Sequence, residues 1–220
     1  MRTVIFDLDG TLADTSRDLI NAANTCFREL GLGDVLTHPG DAGTALRGGR
    51  AMLTLGLDRA GFADMGEIDR QYPRLLAAYG ADVATHTVLY PGALAAIEGL
   101  KSAGYAVGIC TNKPEGLAET LMAALGVRDA FASLIGADTL AVRKPDPATF
   151  VAAVERAGGN VAHSLLVGDT ETDHRTARAA GVPSILVTFG PGGRGVLDLN
   201  PDGSIDHFDG LLAEVQRLIG

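Results

Sequence analysis

Thr3-Val4-Ile5-Phe6-Asp7-Leu8-Asp9-Gly10-Thr11 decides the reading of this chain. A short run of β-branched and aromatic residues leads directly into two acids and a glycine. Such a run reads as a strand buried on both faces, because strands of a parallel sheet are apolar throughout rather than alternating. Four later runs have the same character: Ala106 to Cys110, Leu134 to Gly136, Leu165 to Gly168 and Ser184 to Thr188. Helical patterns separate them. Pro91 to Ala103 stops at Gly104, and Pro114 to Leu125 stops at Gly126. Asp146-Pro147 supplies an N-cap and a first-turn proline for a helix reaching Ala157, and Thr172 to Ala180 stops at Gly181. Strands alternating with helices predict an α/β fold with a doubly wound, Rossmann-like parallel sheet.

One block departs from this alternation. From Thr15 to Ala84 only helical pattern is visible, including the stripe Leu19, Ile20, Ala23, Phe27 and Leu30, then stretches at Arg50 to Ala60 and Gly66 to Tyr79. The expected organisation is an α/β core from residues 1–14 and 85–220, with an all-helical subdomain of residues 15–84 inserted after the first strand. The segment Gly190 to Gly203 reads as a surface loop.

Composition narrows the function. The chain has 220 residues, 46% of them hydrophobic and 20% charged, enough for a packed core and incompatible with wholesale disorder. Lys and Arg total 18 against 27 Asp and Glu, a net charge of -9, which disfavours nucleic acid or an anionic membrane as partner. Cys26 and Cys110 cannot build a disulfide framework, and Asp7 interrupts the N-terminus before a signal-peptide apolar region develops. A soluble cytoplasmic protein, monomer or homodimer, is expected.

Ligands of open α/β sheets bind beyond the carboxyl ends of the strands, so the residues following each strand carry the chemistry. These are Asp7 to Thr11 after the first, Thr111-Asn112-Lys113 after the second, Asp138 and then Arg143-Lys144-Pro145 after the third, and Asp169 with Asp173 after the fourth. If they converge, carboxylates ~4 Å apart repel by roughly 4 kcal/mol at an effective dielectric of about 20. A hard divalent cation would relieve this, and Mg²⁺ suits a site with few carboxylates. Two of only three lysines, Lys113 and Lys144, fall in these segments, and a cation with a fixed ammonium is equipment for phosphoryl transfer.

Four segments in this order, Asp-Leu-Asp-Gly-Thr-Leu-Ala-Asp at 7–14, Thr-Asn-Lys-Pro at 111–114, Arg-Lys-Pro-Asp-Pro at 143–147 and Gly-Asp-Thr-Glu-Thr-Asp at 168–173, resemble the haloacid dehalogenase-like hydrolase superfamily, and within it the phosphoglycolate phosphatase group. The resemblance implies a helical cap at the position of the inserted block, closing around hinges near Asp14 and Thr85. It implies that Asp7 attacks phosphorus and forms an aspartyl-phosphate, and that Asp9 acts as acid and then base. Mg²⁺ would be held by Asp7, the Asp9 carbonyl and Asp169, with Asp173 nearby. Thr111, the Asn112 amide and Lys144 would bind the phosphoryl oxygens. The implied function is a Mg²⁺-dependent phosphomonoesterase for a small phosphate ester, most simply 2-phosphoglycolate. A phosphosugar mutase, a pyrophosphatase or a nucleotide phosphatase of the same superfamily are the alternatives.

Other readings bear on individual residues. Thr170-x-x-Asp173 also reads as a capping box, so Asp173 is either a metal ligand or a helix cap. Lys113 reads as a surface or helix-start residue, and Cys110 as a small buried apolar one. The histidines lack metal-ligand spacing. In the segment Thr44 to Arg50, Arg47 or Arg50 could grip a substrate carboxylate in bidentate fashion.

Overall fold

The structure, a computed structural model, describes residues 1–62 and 65–220; residues 63 and 64, inside the expected helical block, lie outside the described residues. The chain divides into two compact units, Met1–Ala13 with Leu89–Gly220, and Asp14–Val88.

The first unit is built on a six-stranded sheet. Its strands are β1 (Thr3–Phe6), β4 (Ala106–Cys110), β5 (Ser133–Ile135), β6 (Ser164–Gly168), β7 (Ser184–Val187) and β8 (Gly203–Ile205), in the order β5-β4-β1-β6-β7-β8. Every pairing is parallel. All residues of β1, β4 and β6 are buried, as their unbroken apolar character requires. Helices α7 (Pro147–Arg156) and α8 (Glu171–Ala180) pack against each other on one face, and α5 (Ala93–Ser102) packs with α9 (Leu211–Ile219) on the other. Helix α6 (Glu115–Ala124) joins β4 to β5. Between the sheet and the α7–α8 layer, Ile5, Cys110, Ile135, Phe150, Val154 and Leu166 form a closed core. Truncating Ile5 to alanine there costs about 2–5 kcal/mol, because the cavity cannot fully collapse.

Register places the chemistry. Phe6 lies opposite Ile109 of β4 and Val167 of β6, so the residues that follow these three strands emerge at one rim. The chain leaves β1 toward β4 on one side and later returns to β6 on the other. That reversal opens a crevice beyond the end of β1, where open α/β sheets bind their ligands.

The helix ends follow local chemistry. Asp146 caps α7 by accepting the Ala148 N–H at 2.9 Å, ahead of Pro147 in the first turn. Helix α8 ends on Gly181, which adopts the left-handed conformation at φ 70°. The expected loop at Gly190 to Gly203 is more structured than its composition suggests. It contains a 3-10 segment, Gly193–Leu199, and ends in β8. Its glycines serve close packing as well as turning, since a Cβ at Gly190 would lie 2.7 Å from the Gly10 carbonyl oxygen.

The second unit is helical: α1 (Ser16–Glu29), α2 (Ala42–Ala45), α3 (Gly49–Arg59) and α4 (Met65–Ala81). Helix α1 packs on α3 and α4. Phe27 presses so closely on Gly56 that any Cβ there would overlap its ring. Near the start of α1 the buried Asp18 carboxylate accepts the Thr87 N–H and hydroxyl, both at 2.8 Å, and the His86 N–H at 2.9 Å. This fastens the returning chain to α1. The short strands β2 (Ala13–Asp14) and β3 (Val88–Leu89) pair where the chain passes from one unit to the other.

Candidate active site

At the rim of the sheet, Asp7 follows β1 and its backbone N–H donates to the Val167 carbonyl at 2.9 Å, extending the ladder by one residue. Its Oδ1 accepts the Leu8 N–H at 2.7 Å and pairs with Lys144 Nζ at 2.9 Å. Lys144 is 3% exposed and reaches a second acid, donating to Asp173 Oδ1 at 2.6 Å. The other oxygen of Asp173 accepts the Asp169 N–H at 3.3 Å, the Thr170 N–H at 3.1 Å and the Thr170 hydroxyl at 2.5 Å. The capping box and the ammonium contact therefore coexist on one residue, and both oxygens of Asp173 are engaged.

Asp169 leaves β6 on the same rim. Its Oδ1 accepts the Thr11 hydroxyl at 2.8 Å. Gly10, at φ 82°, turns the chain here, and a Cβ on it would stand 2.5 Å from Asp169 Oδ2. Asp7, Asp169 and Asp173 can each present an oxygen within 4.8 Å of the others. Asp9 lies beside them, its Oδ1 held by Lys113 Nζ at 3.0 Å.

The electrostatics follow from burial. Desolvation pushes the Asp7 carboxyl up to about 6; Asp173 and Asp9 push the same way and Lys144 opposes them. Asp169 is raised well above the usual carboxylate range, first by burial and then by Asp173 and Asp7, with Thr11 and Lys144 opposing. For Lys144 burial disfavours the charge, but Asp173 and Asp7 outweigh it and hold the ammonium protonated far above neutrality. Cys110, behind the site, is pushed up to about 11 chiefly by burial, so it sits there as an inert thiol.

This arrangement suits a divalent cation. With all six groups ionised, four carboxylates against two ammonium groups leave two negative charges. Among the described residues no protein donor reaches Oδ2 of Asp7 or Oδ2 of Asp169. The donors are all hard oxygens, the set preferred by Mg²⁺ or Mn²⁺ over softer metals.

A family model described as haloacid dehalogenase-like hydrolase matches residues 4–187. The chain belongs to that family. A phosphoglycolate phosphatase of Mesorhizobium japonicum is 40% identical over 230 residues, covering 98% of this chain and 96% of that protein. One of Rhodospirillum rubrum is 38% identical over 214 residues, covering 96% and 89%. Among solved structures, a predicted phosphoglycolate phosphatase of Haemophilus somnus superposes with a TM-score of 0.84 over 97% of both chains at 24% identity. A hydrolase of Pseudomonas syringae does so at 0.77 over the full length of both, at 20% identity. At those identities the structural likeness speaks for the fold.

For this haloacid dehalogenase-like hydrolase the site residues expected from sequence divide clearly. Asp7, Asp9, Lys144, Asp169 and Asp173 are gathered at one rim. Thr111 is buried at the end of β4, where its N–H donates to Ile135 O at 2.9 Å and its hydroxyl accepts the Lys113 N–H at 3.1 Å. Asn112 is exposed and donates its side-chain amide to the Lys144 carbonyl at 3.0 Å, tying two of the motif loops together. Arg47 belongs to the helical unit and donates to Thr44 Oγ1 at 3.1 Å in an exposed contact.

One reading is overturned and two features are new. Lys113 is not a surface residue: it is 6% exposed and paired with Asp9. Its backbone is clamped by the Thr111 hydroxyl on one side and the Ala137 N–H on the other, which holds the stem of the side chain turned inward. Thr11 and Gly190 also belong to the site. The tripeptide Asp9-Gly10-Thr11 signalled the first, through a hydroxyl placed just after a chain reversal. Gly190, whose Cβ would press on Asp169, carried no signal, because its neighbour lies across the sheet. No helix among the described residues is long and apolar enough to cross a membrane.

Proposed function

We propose that this chain is a divalent-metal-dependent phosphatase acting on 2-phosphoglycolate through a phosphoaspartate at Asp7. The observation that carries the reading is the Asp7 carboxylate, anchored through Oδ1 by Lys144 and Leu8 while Oδ2 has no protein donor among the described residues. A nucleophile needs that combination: one oxygen fixed, the other available. Asp7, Asp169 and the Asp9 carbonyl would hold the cation, and Mg²⁺ fits them best. When bound, it supplies Lewis-acid stabilisation of the phosphoryl oxygens and offsets the negative charge of the cluster.

The remaining work falls to the chain itself. Asp7 Oδ2 attacks phosphorus, the ester P–O bond breaks, and Asp9 gives its proton to the departing alkoxide. Water then attacks the phosphoaspartate, losing a proton to Asp9, and the bond to Asp7 breaks to release phosphate. Lys144, Thr111 and the Asn112 amide bind the phosphoryl oxygens. With both of its oxygens occupied, Asp173 serves this reading as the anchor of Lys144 and of the α8 turn rather than as a metal ligand. The names of the 40% and 38% identical relatives support phosphoglycolate as substrate.

In this reading the helical unit is the cap, and Arg47 takes the substrate carboxylate. Arg50 is less suited, because Asp69 engages it at 2.7 Å and it stacks on Tyr72. Phosphate release across a panel of phosphomonoesters, with Mg²⁺ and with a chelator, tests the proposal. Asp7→Asn should lower turnover on the order of 10⁴-fold or more while the protein stays folded. Substantial turnover by that variant excludes Asp7 as nucleophile, and substrate consumed without free phosphate favours a mutase.

A further inference from the structure

We propose that Lys113 is a positioning residue, whose ammonium fixes the Asp9 carboxyl in the orientation from which it exchanges protons with the leaving and attacking oxygens. The inference rests on the reading of Asp9 as the acid–base group.

Burying an ammonium costs several kcal/mol even after relaxation, so a lysine inside a protein must be paired and well anchored. The chain has only three lysines, and Lys113 is one of two that are buried. Its charge is not needed at Asp7 or Asp173, since Lys144 already reaches both, at 2.9 and 2.6 Å. Lys113 instead meets Asp9, at 3.0 Å, with side-chain exposures of 3% and 16% for the pair.

The backbone aims it there. The Lys113 N–H donates to Thr111 Oγ1 at 3.1 Å, and its carbonyl accepts the Ala137 N–H at 2.9 Å. The turn is also packed from behind, because a Cβ at Gly136 would lie 2.4 Å from the Glu115 nitrogen. Asp9 itself lies between the end of β1 and the turn at Gly10, and its carboxylate has to be locked in one rotamer to face the reacting oxygens. An anchored cation supplies that lock. A proton-transfer group displaced by about 1 Å can lose on the order of 10²-fold in rate, which sets the expected size of the effect.

The test is a double-mutant cycle read by phosphate release from 2-phosphoglycolate. Lys113→Met should lower kcat about 10²-fold and leave KM within about threefold. Placed in an Asp9→Asn background, the same substitution should cost less than about threefold further, because the group it positions is no longer functional. Lys113→Arg, which retains a buried cation, should recover more of kcat than Lys113→Gln, which retains length without charge. If Lys113→Met fails to fold by circular dichroism, Lys113→Gln carries the same cycle.

A raised KM with kcat preserved would assign Lys113 to direct substrate binding and overturn the proposal. An undiminished loss in the Asp9→Asn background would assign it to the scaffold and overturn it equally. If Asp9→Asn alone turns over like the unaltered enzyme, the acid–base reading of Asp9 is wrong and the proposal falls with it; that single variant identifies which of the two failed.

Discussion

The acidic cluster should make the metal-free protein less stable at neutral pH than in mild acid, and a divalent cation should reverse the difference. Folding moves the Asp7 carboxyl from its ordinary 3.8 up to about 6, mainly through burial. A carboxyl whose folded value is raised favours folding while it is protonated. The contribution is fully present below about pH 4 and is lost as pH rises through about 6. Two pH units at about 1.4 kcal/mol each make the loss about 3 kcal/mol, and Asp169, raised for the same reason, adds in the same direction. Groups shifted the other way do not mask it. Asp41, Asp206 and Glu214 are lowered by their arginine and hydroxyl partners and lose their contributions only below the ordinary carboxylate range, while Lys144 titrates far above neutrality. For a chain of this length about 3 kcal/mol corresponds to roughly 6–12 °C in melting temperature. A cation at about a hundred times its dissociation constant returns about 2.7 kcal/mol, nearly the whole difference. Thermal melts in a chelator at about pH 4.5 and about pH 7.5, repeated with excess Mg²⁺, measure both effects. Asp7→Asn, which cannot ionise, should make the chelator profile shallower, leaving the part that Asp169 contributes, and melt higher than the unaltered protein at neutral pH. A chelator profile that is already flat, or an Asp7→Asn variant that melts lower at neutral pH, would refute the electrostatic account of the cluster.

Three further outcomes follow from individual contacts. Thr11→Val removes the hydroxyl bonded to Asp169 Oδ1, and the Mg²⁺ dissociation constant read by calorimetry should rise about 10–100-fold, with Thr11→Ser restoring it. Lys144→Met strips the cation from between two buried carboxylates, and should destabilise the metal-free protein by about 3–5 kcal/mol in denaturant titrations at neutral pH and much less in mild acid. Gly190→Ala forces a Cβ to 2.7 Å from the Gly10 carbonyl and 3.0 Å from Asp169 Cβ, so it should cost about 1–3 kcal/mol and weaken Mg²⁺ binding in the same preparation.

The fold was legible because burial on both faces leaves a visible trace in composition. Val4-Ile5-Phe6 and Leu165-Leu166-Val167 are apolar without alternation, as strands covered on both faces of a parallel sheet are. Helix ends were legible for a local reason, since Asp146-Pro147 and Gly181 interact with groups a few residues away. Strand β8 left almost no trace: Gly203-Ser204-Ile205 has one strongly strand-forming residue and pairs along one side only, so little of its energy comes from its own side chains. The same distinction separates the residues of the site. The acids could be located because they stand at or just beyond strand ends, and strand ends share a rim by register. Which oxygen of each acid is engaged, and by which ammonium, depends on side-chain paths that cross the sheet.

Lys113 shows the consequence most sharply. Next to Pro114 at the mouth of a helix, a lysine ordinarily extends into water. What turns it inward is the Ala137 N–H on its carbonyl and Asp9 at the end of its stem, respectively 24 and 104 positions away along the chain. Four carboxylates at one rim create a demand for positive charge that no single cation meets. The demand is divided: Lys144 serves Asp7 and Asp173, Lys113 serves Asp9, and Asp169 has Thr11 as a neutral partner. A site that assigns its fixed cations this way keeps a net negative charge, which an exchangeable divalent cation would offset while Asp7 Oδ2 stays available to react.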